Sequence, residues 1–213
     1  MSDVIDQLAS SRVVPVLTAH DADEAERACE ALAAGGLSVV EITFRTDAAA
    51  EAIRRVARNE VLLVGAGTIL SPDQLARALD AGARFAVAPG TSEAVVEAAR
   101  AAGVPFVPGI ATPSEIDRAC ALGCAVLKVF PASILGGPSF VKAVSPVYRD
   151  VRFVPTGGVN PGNLASYLEL PSVLACGGTW ICDRALLRER RFDKIERLAR
   201  EAAELTAALA PVT

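Results

Sequence analysis

Residues 119–131, Ala119-Cys-Ala-Leu-Gly-Cys-Ala-Val-Leu-Lys-Val-Phe-Pro131, run from an Ala-rich helix end through Gly123 into a short apolar strand that stops at proline. Glycine just past a helix accepts the left-handed backbone that ends it. An apolar run without polar alternation is the pattern of a strand buried on both faces. The same unit recurs in Ala31-Leu-Ala-Ala-Gly-Gly-Leu-Ser-Val-Val-Glu41, Ala78-Leu-Asp-Ala-Gly-Ala-Arg-Phe-Ala-Val-Ala-Pro89 and Ala98-Ala-Arg-Ala-Ala-Gly-Val-Pro-Phe-Val-Pro108. Gly82, Gly103 and Gly123 lie 21 and 20 residues apart, and the 46 residues from Gly36 to Gly82 leave room for two units. Helix starts are marked by Asp21, Ser71-Pro72, Ser92-Glu93 and Thr112-Pro113, residues suited to first-turn capping.

Working outward gives eight strands: Val13–Leu17, Ser38–Thr43, Val61–Gly65, Arg84–Ala88, Pro105–Val107, Ala125–Phe130, Arg152–Pro155 and Ser172–Cys176. Their strict alternation with helices predicts an α/β chain with parallel strands, and eight such units close as a (β/α)8 TIM barrel. An open doubly wound sheet would carry a Gly-rich dinucleotide loop after its first strand, where this chain has Thr18-Ala-His-Asp21. A helix over 192–209 is expected to complete the wall, and no linker divides the chain, so residues 1–213 read as one domain.

Hydrophobic residues at 52% allow a large core, and aromatics at 5% leave it to Ala, Val, Leu and Ile. The net charge of −4 argues against nucleic-acid or membrane-surface partners. Cys29, Cys120, Cys124, Cys176 and Cys182 are odd in number, form no CxxC and sit in apolar segments, which reads as buried thiols in a reducing cytoplasm. The N-terminus, Met1-Ser-Asp-Val-Ile-Asp6, shows no secretory pattern, and no uncharged stretch reaches the roughly 18 residues of a membrane helix. His20, the only histidine, reads as a solvated loop residue, and with no clustered carboxylates no metal site is expected.

Lys128 is the exception in its strand, in a chain with three lysines against eighteen arginines. It could snorkel from a strand end to solvent. Alternatively, it is buried, and an unpartnered buried ammonium tends to lose its proton. A free lysine is only ~0.04% neutral amine at pH 7, so desolvation is a route to an amine that forms Schiff bases with ketones.

Barrels of this type work at the ends of their strands. Here those ends read Glu41-Ile-Thr43-Phe-Arg45-Thr46, Gly65-Ala-Gly67-Thr68, Ala88-Pro89-Gly90, Pro108-Gly109, Lys128-Val-Phe130-Pro131, Thr156-Gly157-Gly158 and Gly177-Gly178-Thr179. Glu41 and Arg45 could be an ion pair with each other. With Lys128 they also fit a 2-keto acid: Lys128 for the ketone, Arg45 for the carboxylate and Glu41 for the protons. The two Gly-Gly pairs stand after strands seven and eight, where backbone N–H groups commonly bind phosphate. A phosphorylated keto acid is the expected ligand.

These motifs resemble the 2-keto-3-deoxy-6-phosphogluconate (KDPG) aldolase family. The carriers are Val13-Val-Pro-Val16, Glu41-Ile-Thr-Phe-Arg-Thr46, Gly65-Ala-Gly-Thr68, Pro108-Gly-Ile110, Lys128-Val-Phe-Pro-Ala132 and Pro155-Thr-Gly-Gly158, in order along most of the chain. The resemblance implies a cytoplasmic class I aldolase of the Entner–Doudoroff pathway, usually a homotrimer, without metal and with a covalent lysine Schiff base as its only device. It implies Lys128 as the Schiff-base lysine and Glu41 as the acid/base. Arg45, Thr68, Pro89, Phe130 and Thr156 would then face the substrate, and Gly157, Gly158, Gly178 and Thr179 its phosphate. Ser133 stands where the family often has an acid, Phe44 replaces a usual Leu, and Thr179 stands where Ser is common.

The implied reaction splits 2-dehydro-3-deoxy-6-phosphogluconate into pyruvate and glyceraldehyde 3-phosphate. The galactonate epimer or 4-hydroxy-2-oxoglutarate could use the same machinery, and Thr156 favours the gluconate form. A noncatalytic barrel binding a phosphorylated sugar acid is the rival from another class. It predicts ligand-induced stabilisation without turnover. A decarboxylase or isomerase would normally want an acidic cluster or metal that the sequence does not offer.

Overall fold

The expected alternation is present in the computed structural model, which describes residues 2–209. The strands are β1 (Val13–Leu17), β2 (Val39–Thr43), β3 (Leu63–Gly67), β4 (Phe85–Val87), β5 (Phe106–Val107), β6 (Gly109–Ile110), β7 (Val126–Val129), β8 (Arg152–Pro155) and β9 (Cys176–Gly178). The helices are α1 (Ser2–Ser11), α2 (Ala22–Ala34), α3 (Ala49–Val56), α4 (Pro72–Asp80), α5 (Glu93–Ala101), α6 (Pro113–Ala121), α7 (Pro138–Val144), α8 (Leu164–Leu168), α9 (Arg184–Arg188) and α10 (Phe192–Ala208). No helix among the described residues is long and apolar enough to cross a membrane.

Every ladder is parallel, six strands in the order β5-β4-β3-β2-β1-β9 and three in the order β6-β7-β8. The architecture is a curled, TIM-barrel-like parallel sheet whose continuous ladder is a half-barrel. The expectation of eight unbroken strands is met only in part. The fifth expected strand, Pro105–Val107, is β5, and beyond Pro108, which has no N–H to place in a ladder, the chain adds a further short strand, β6, that the sequence reading did not include. Single parallel bridges, Phe153 to Val173 and Thr156 to Gly177, link β8 to the segment that enters β9.

Two strand expectations shift in register. The third begins at Leu63, not Val61, because Asn59 O accepts the Leu62 N–H in a turn and the ladder starts where Leu63 donates to Ser38 O. The eighth is Cys176–Gly178, because Val173 N–H turns back to Leu170 O and pairing with β1 begins at Cys176. Helix starts follow the sequence more closely. Asp21, Ser71 and Thr112 accept N–H bonds from the third residue onward, Thr112 in a reciprocal box with Glu115, whereas the Ser92 side chain makes no such bond.

The larger core lies between helices and sheet, and a smaller one fills the sheet's concave side. In the latter, Val4 and Leu8 of α1 pack on Val14, Val39, Leu63, Phe85, Val87, Val107 and Ala175. One alternation step further along these strands, the same face carries Glu41, Gly65, Gly109, Lys128, Thr156 and Gly177. The apolar floor thus excludes water from below.

Cys29, Cys176 and Cys182 are buried, but Cys120 and Cys124 are only half-buried, flanking the Gly123 turn; all five are free thiols. Burial pushes the Cys182 thiol up to about 12 and raises Cys29 and Cys176 as well, Cys29 with help from neighbouring Cys182 and Glu30. Thiol pKa values that are higher folded than unfolded give stability that is complete below the ordinary thiol value of 9.0 and is lost as pH rises towards 12. The urea midpoint should therefore fall between pH 9 and pH 11, and fall less steeply in Cys182→Ala. An equal slope in that variant would remove this thiol from the account.

Candidate active site

Lys128 sits mid-ladder in β7, between Gly109 and Val154, and its backbone N–H donates to Pro108 O at 2.8 Å. Glu41 occupies the matching place in β2, between Val16 and Gly65. Both side chains point into the concave side. Lys128 Nζ lies 3.3 Å from Glu41 Oε1 and 3.4 Å from Oε2, with the two side chains 6% and 4% exposed. The lysine does not snorkel. It is one half of a buried pair with Glu41, the acid that the sequence reading set beside it. The Phe130 ring centroid lies 5.6 Å from Nζ.

Arg45 does not pair with Glu41. It follows β2 in a turn, exposed at the rim, and its Nε donates to Thr68 Oγ1 at 3.1 Å. Thr68 has φ of +58°, a left-handed backbone that a β-branched residue rarely adopts. Such strain persists where surrounding contacts impose it, and sites are where it concentrates. Here Phe44 N–H donates to Gly67 O and Ile69 N–H to Val87 O on either side of Thr68. Thr43, fully buried, shares a 2.8 Å hydrogen bond with the Thr18 hydroxyl, a contact that links the ends of β1 and β2 and that spacing did not reveal.

Thr156 is buried at the end of β8 and its backbone N–H donates to Val129 O. Its side chain packs so closely on Gly177 that a methyl there would overlap it. Gly157 and Gly158 follow with φ of +95° and +80°, a conformation glycine takes without strain. Gly157 O accepts from Ser133 N–H, and Gly158 O accepts from the Asn160 and Asn163 side chains, so this turn is held open at the rim. Gly178 ends β9 under the Trp180 ring, and Thr179 is exposed beyond it. Pro89 is half-buried, with its carbonyl packed tightly against Gly109. Lys128 and Glu41 thus lie within their strands, beneath the rim, and the other expected residues lie at or just past the strands' C-terminal ends. Side-chain hydrogen bonds join two pairs of these residues, Lys128 with Glu41 and Arg45 with Thr68. A separate groove of about 490 Å³ lies at the strands' N-terminal ends, around Arg100, Phe106, Leu122 and Val126, and includes none of the expected site residues.

Chemically, the buried pair couples a nucleophilic nitrogen to a proton acceptor within reach. The guanidinium with its neighbouring hydroxyl offers donors to a carboxylate, and the glycine turns offer backbone N–H groups to an anion.

Known proteins share this sequence pattern and fold. A family model described as KDPG and KHG aldolase matches residues 4–198. A 2-dehydro-3-deoxy-phosphogluconate aldolase of Pseudomonas aeruginosa is 43% identical over 195 residues, covering 91% of this chain and 89% of its own. The crystal structure of the 2-keto-3-deoxy-6-phosphogluconate aldolase of Zymomonas mobilis with 3-phosphoglycerate superposes with a TM-score of 0.92 at 37% identity, covering 100% of this chain and 98% of that one. A KDPG aldolase of Legionella pneumophila, with pyruvate captured as a covalent carbinolamine, superposes at 0.89 with 36% identity, covering 93% and 97%.

Proposed function

Because the chain belongs to the KDPG and KHG aldolase family, we propose that it is a class I lyase cleaving 2-dehydro-3-deoxy-6-phosphogluconate to pyruvate and glyceraldehyde 3-phosphate. The observation that carries the mechanism is the buried Lys128–Glu41 contact of 3.3 Å. Glu41 is placed to take the proton that must leave Nζ before it attacks. The amine adds to the C2 carbonyl, giving a carbinolamine, and Glu41 returns its proton to the departing hydroxyl, so that loss of water leaves a protonated imine and a carboxylate at Glu41. Glu41, directly or through a water, accepts the C4 hydroxyl proton. The C3–C4 bond then breaks with its electron pair moving into the imine, and glyceraldehyde 3-phosphate leaves with the new aldehyde at the former C4. The resulting enamine takes a proton at C3, and water hydrolyses the imine to pyruvate and free Lys128. The imine itself is the electron sink, so the step calls on no metal.

Arg45 and Thr68 hold the carboxylate next to the ketone in this reading, and Pro89, Phe130 and Thr156 shape the wall around the carbon chain. Gly157, Gly158, Gly178 and Thr179 receive the phosphate on C6. The reading also takes the two ladders as parts of one eight-stranded barrel forming a single domain over 1–213. Support comes from the continuity of β5 with β6 and from the bridges into β9. A cytoplasmic homotrimer completes it.

The test is a coupled assay of pyruvate release on three substrates. The 6-phosphogluconate-derived acid should give the highest kcat/KM, ahead of its galactonate epimer and of 4-hydroxy-2-oxoglutarate, which lacks the phosphate. A preference for the unphosphorylated acid would remove the glycine turns from the account.

A further inference from the structure

Gly67 ends β3 opposite Thr43, and its backbone lies outside the left-handed region, so conformation alone does not call for glycine there. Space does. A Cβ built on Gly67 would lie 2.6 Å from Glu41 Cδ and 2.7 Å from Cγ, and closer still to Oε1. Its three nearest neighbours all belong to that one side chain. Real Cβ atoms do not approach this closely, so a methyl would turn the carboxylate out of its slot. Glu41 is 4% exposed and fills the slot between β3 and Lys128, and rotating it to relieve the overlap would carry Oε1 and Oε2 away from Nζ.

We propose that Gly67 is a positioning residue for the aldol cleavage: its missing side chain forms the slot that holds the Glu41 carboxylate against Lys128. This inference rests on the functional reading above and deepens it. Gly67 touches no reacting atom and acts only through Glu41.

The experiment is a double-mutant cycle of Gly67→Ala and Glu41→Ala, read by kcat for pyruvate release and by melting temperature. In the wild-type background Gly67→Ala should lower kcat by about 10- to 100-fold, the cost of displacing a proton-transfer group. In the Glu41→Ala background the same change should alter kcat by less than about threefold, because the group it displaces is gone. A merely structural glycine would cost the same in both backgrounds, and that result overturns the proposal, as does wild-type kcat in Gly67→Ala. Should Gly67→Ala fail to fold, the double variant must fold; its failure would place the collision elsewhere and overturn the proposal. If the wild type itself releases no pyruvate, the functional reading has failed and the melting temperatures decide. A drop confined to the Glu41-containing background upholds the slot, and equal drops reject it.

Discussion

Lys128→Ala removes pyruvate release, with kcat reduced by at least about 10³-fold, the scale seen when a covalent nucleophile is deleted. No neighbouring group can substitute. Lys142 and Lys194 are the only other lysines, and both lie outside the strands, on α7 and α10. The substitution also leaves Glu41 buried with its partner gone, and breaking a buried pair from one side costs on the order of 3–5 kcal/mol. Kinetics must therefore be read at a temperature where the variant is folded by circular dichroism. Turnover within tenfold of wild type in folded protein would end the Schiff-base account. A folded variant that binds pyruvate and the phosphorylated acid as before, from a wild type that never turns over, would instead favour the noncatalytic barrel.

Glu41→Gln keeps the length and planarity of the side chain but cannot accept a proton as a carboxylate does. We expect kcat to fall by about 10²- to 10⁴-fold, the range for removing a positioned general acid/base. KM should move far less, because Glu41 is buried beneath the rim and the groups assigned to the substrate's carboxylate and phosphate stand at Arg45 and the glycine turns. Steady-state kinetics separates the two effects. An elevated KM with unchanged kcat would make Glu41 a binding residue and transfer the proton work to another group.

Much of this was legible in the sequence because the repeating unit writes its own boundaries. Gly36, Gly82, Gly103 and Gly123 all adopt the positive φ that their place after a helix implies. Lys128 announced itself as a charged residue in an otherwise apolar strand. What the sequence could not give is distance across the sheet. Glu41 and Lys128 are 87 residues apart and meet only because β2 and β7 face one another, so spacing offered Arg45 as an equally good partner for the acid. The slot at Gly67 was hidden for the same reason, since a Gly-Ala-Gly motif does not say whose side chain occupies the room it leaves. Register at β9 slipped because Ser172-Val-Leu-Ala-Cys176 is apolar enough to be a strand, while the backbone bonds that decide it come from Leu170 and β1. The role of α1 as a plug was also missed, although Val4 and Leu8 lie one helical turn apart on the same face.

Borohydride reduction in the presence of pyruvate, followed by peptide mapping, tests the central claim most directly. The account predicts one reduced pyruvyl group, on the peptide that contains Lys128, with loss of activity in proportion to labelling. An active preparation that stays unlabelled, or carries its label on Lys142 or Lys194, would contradict it.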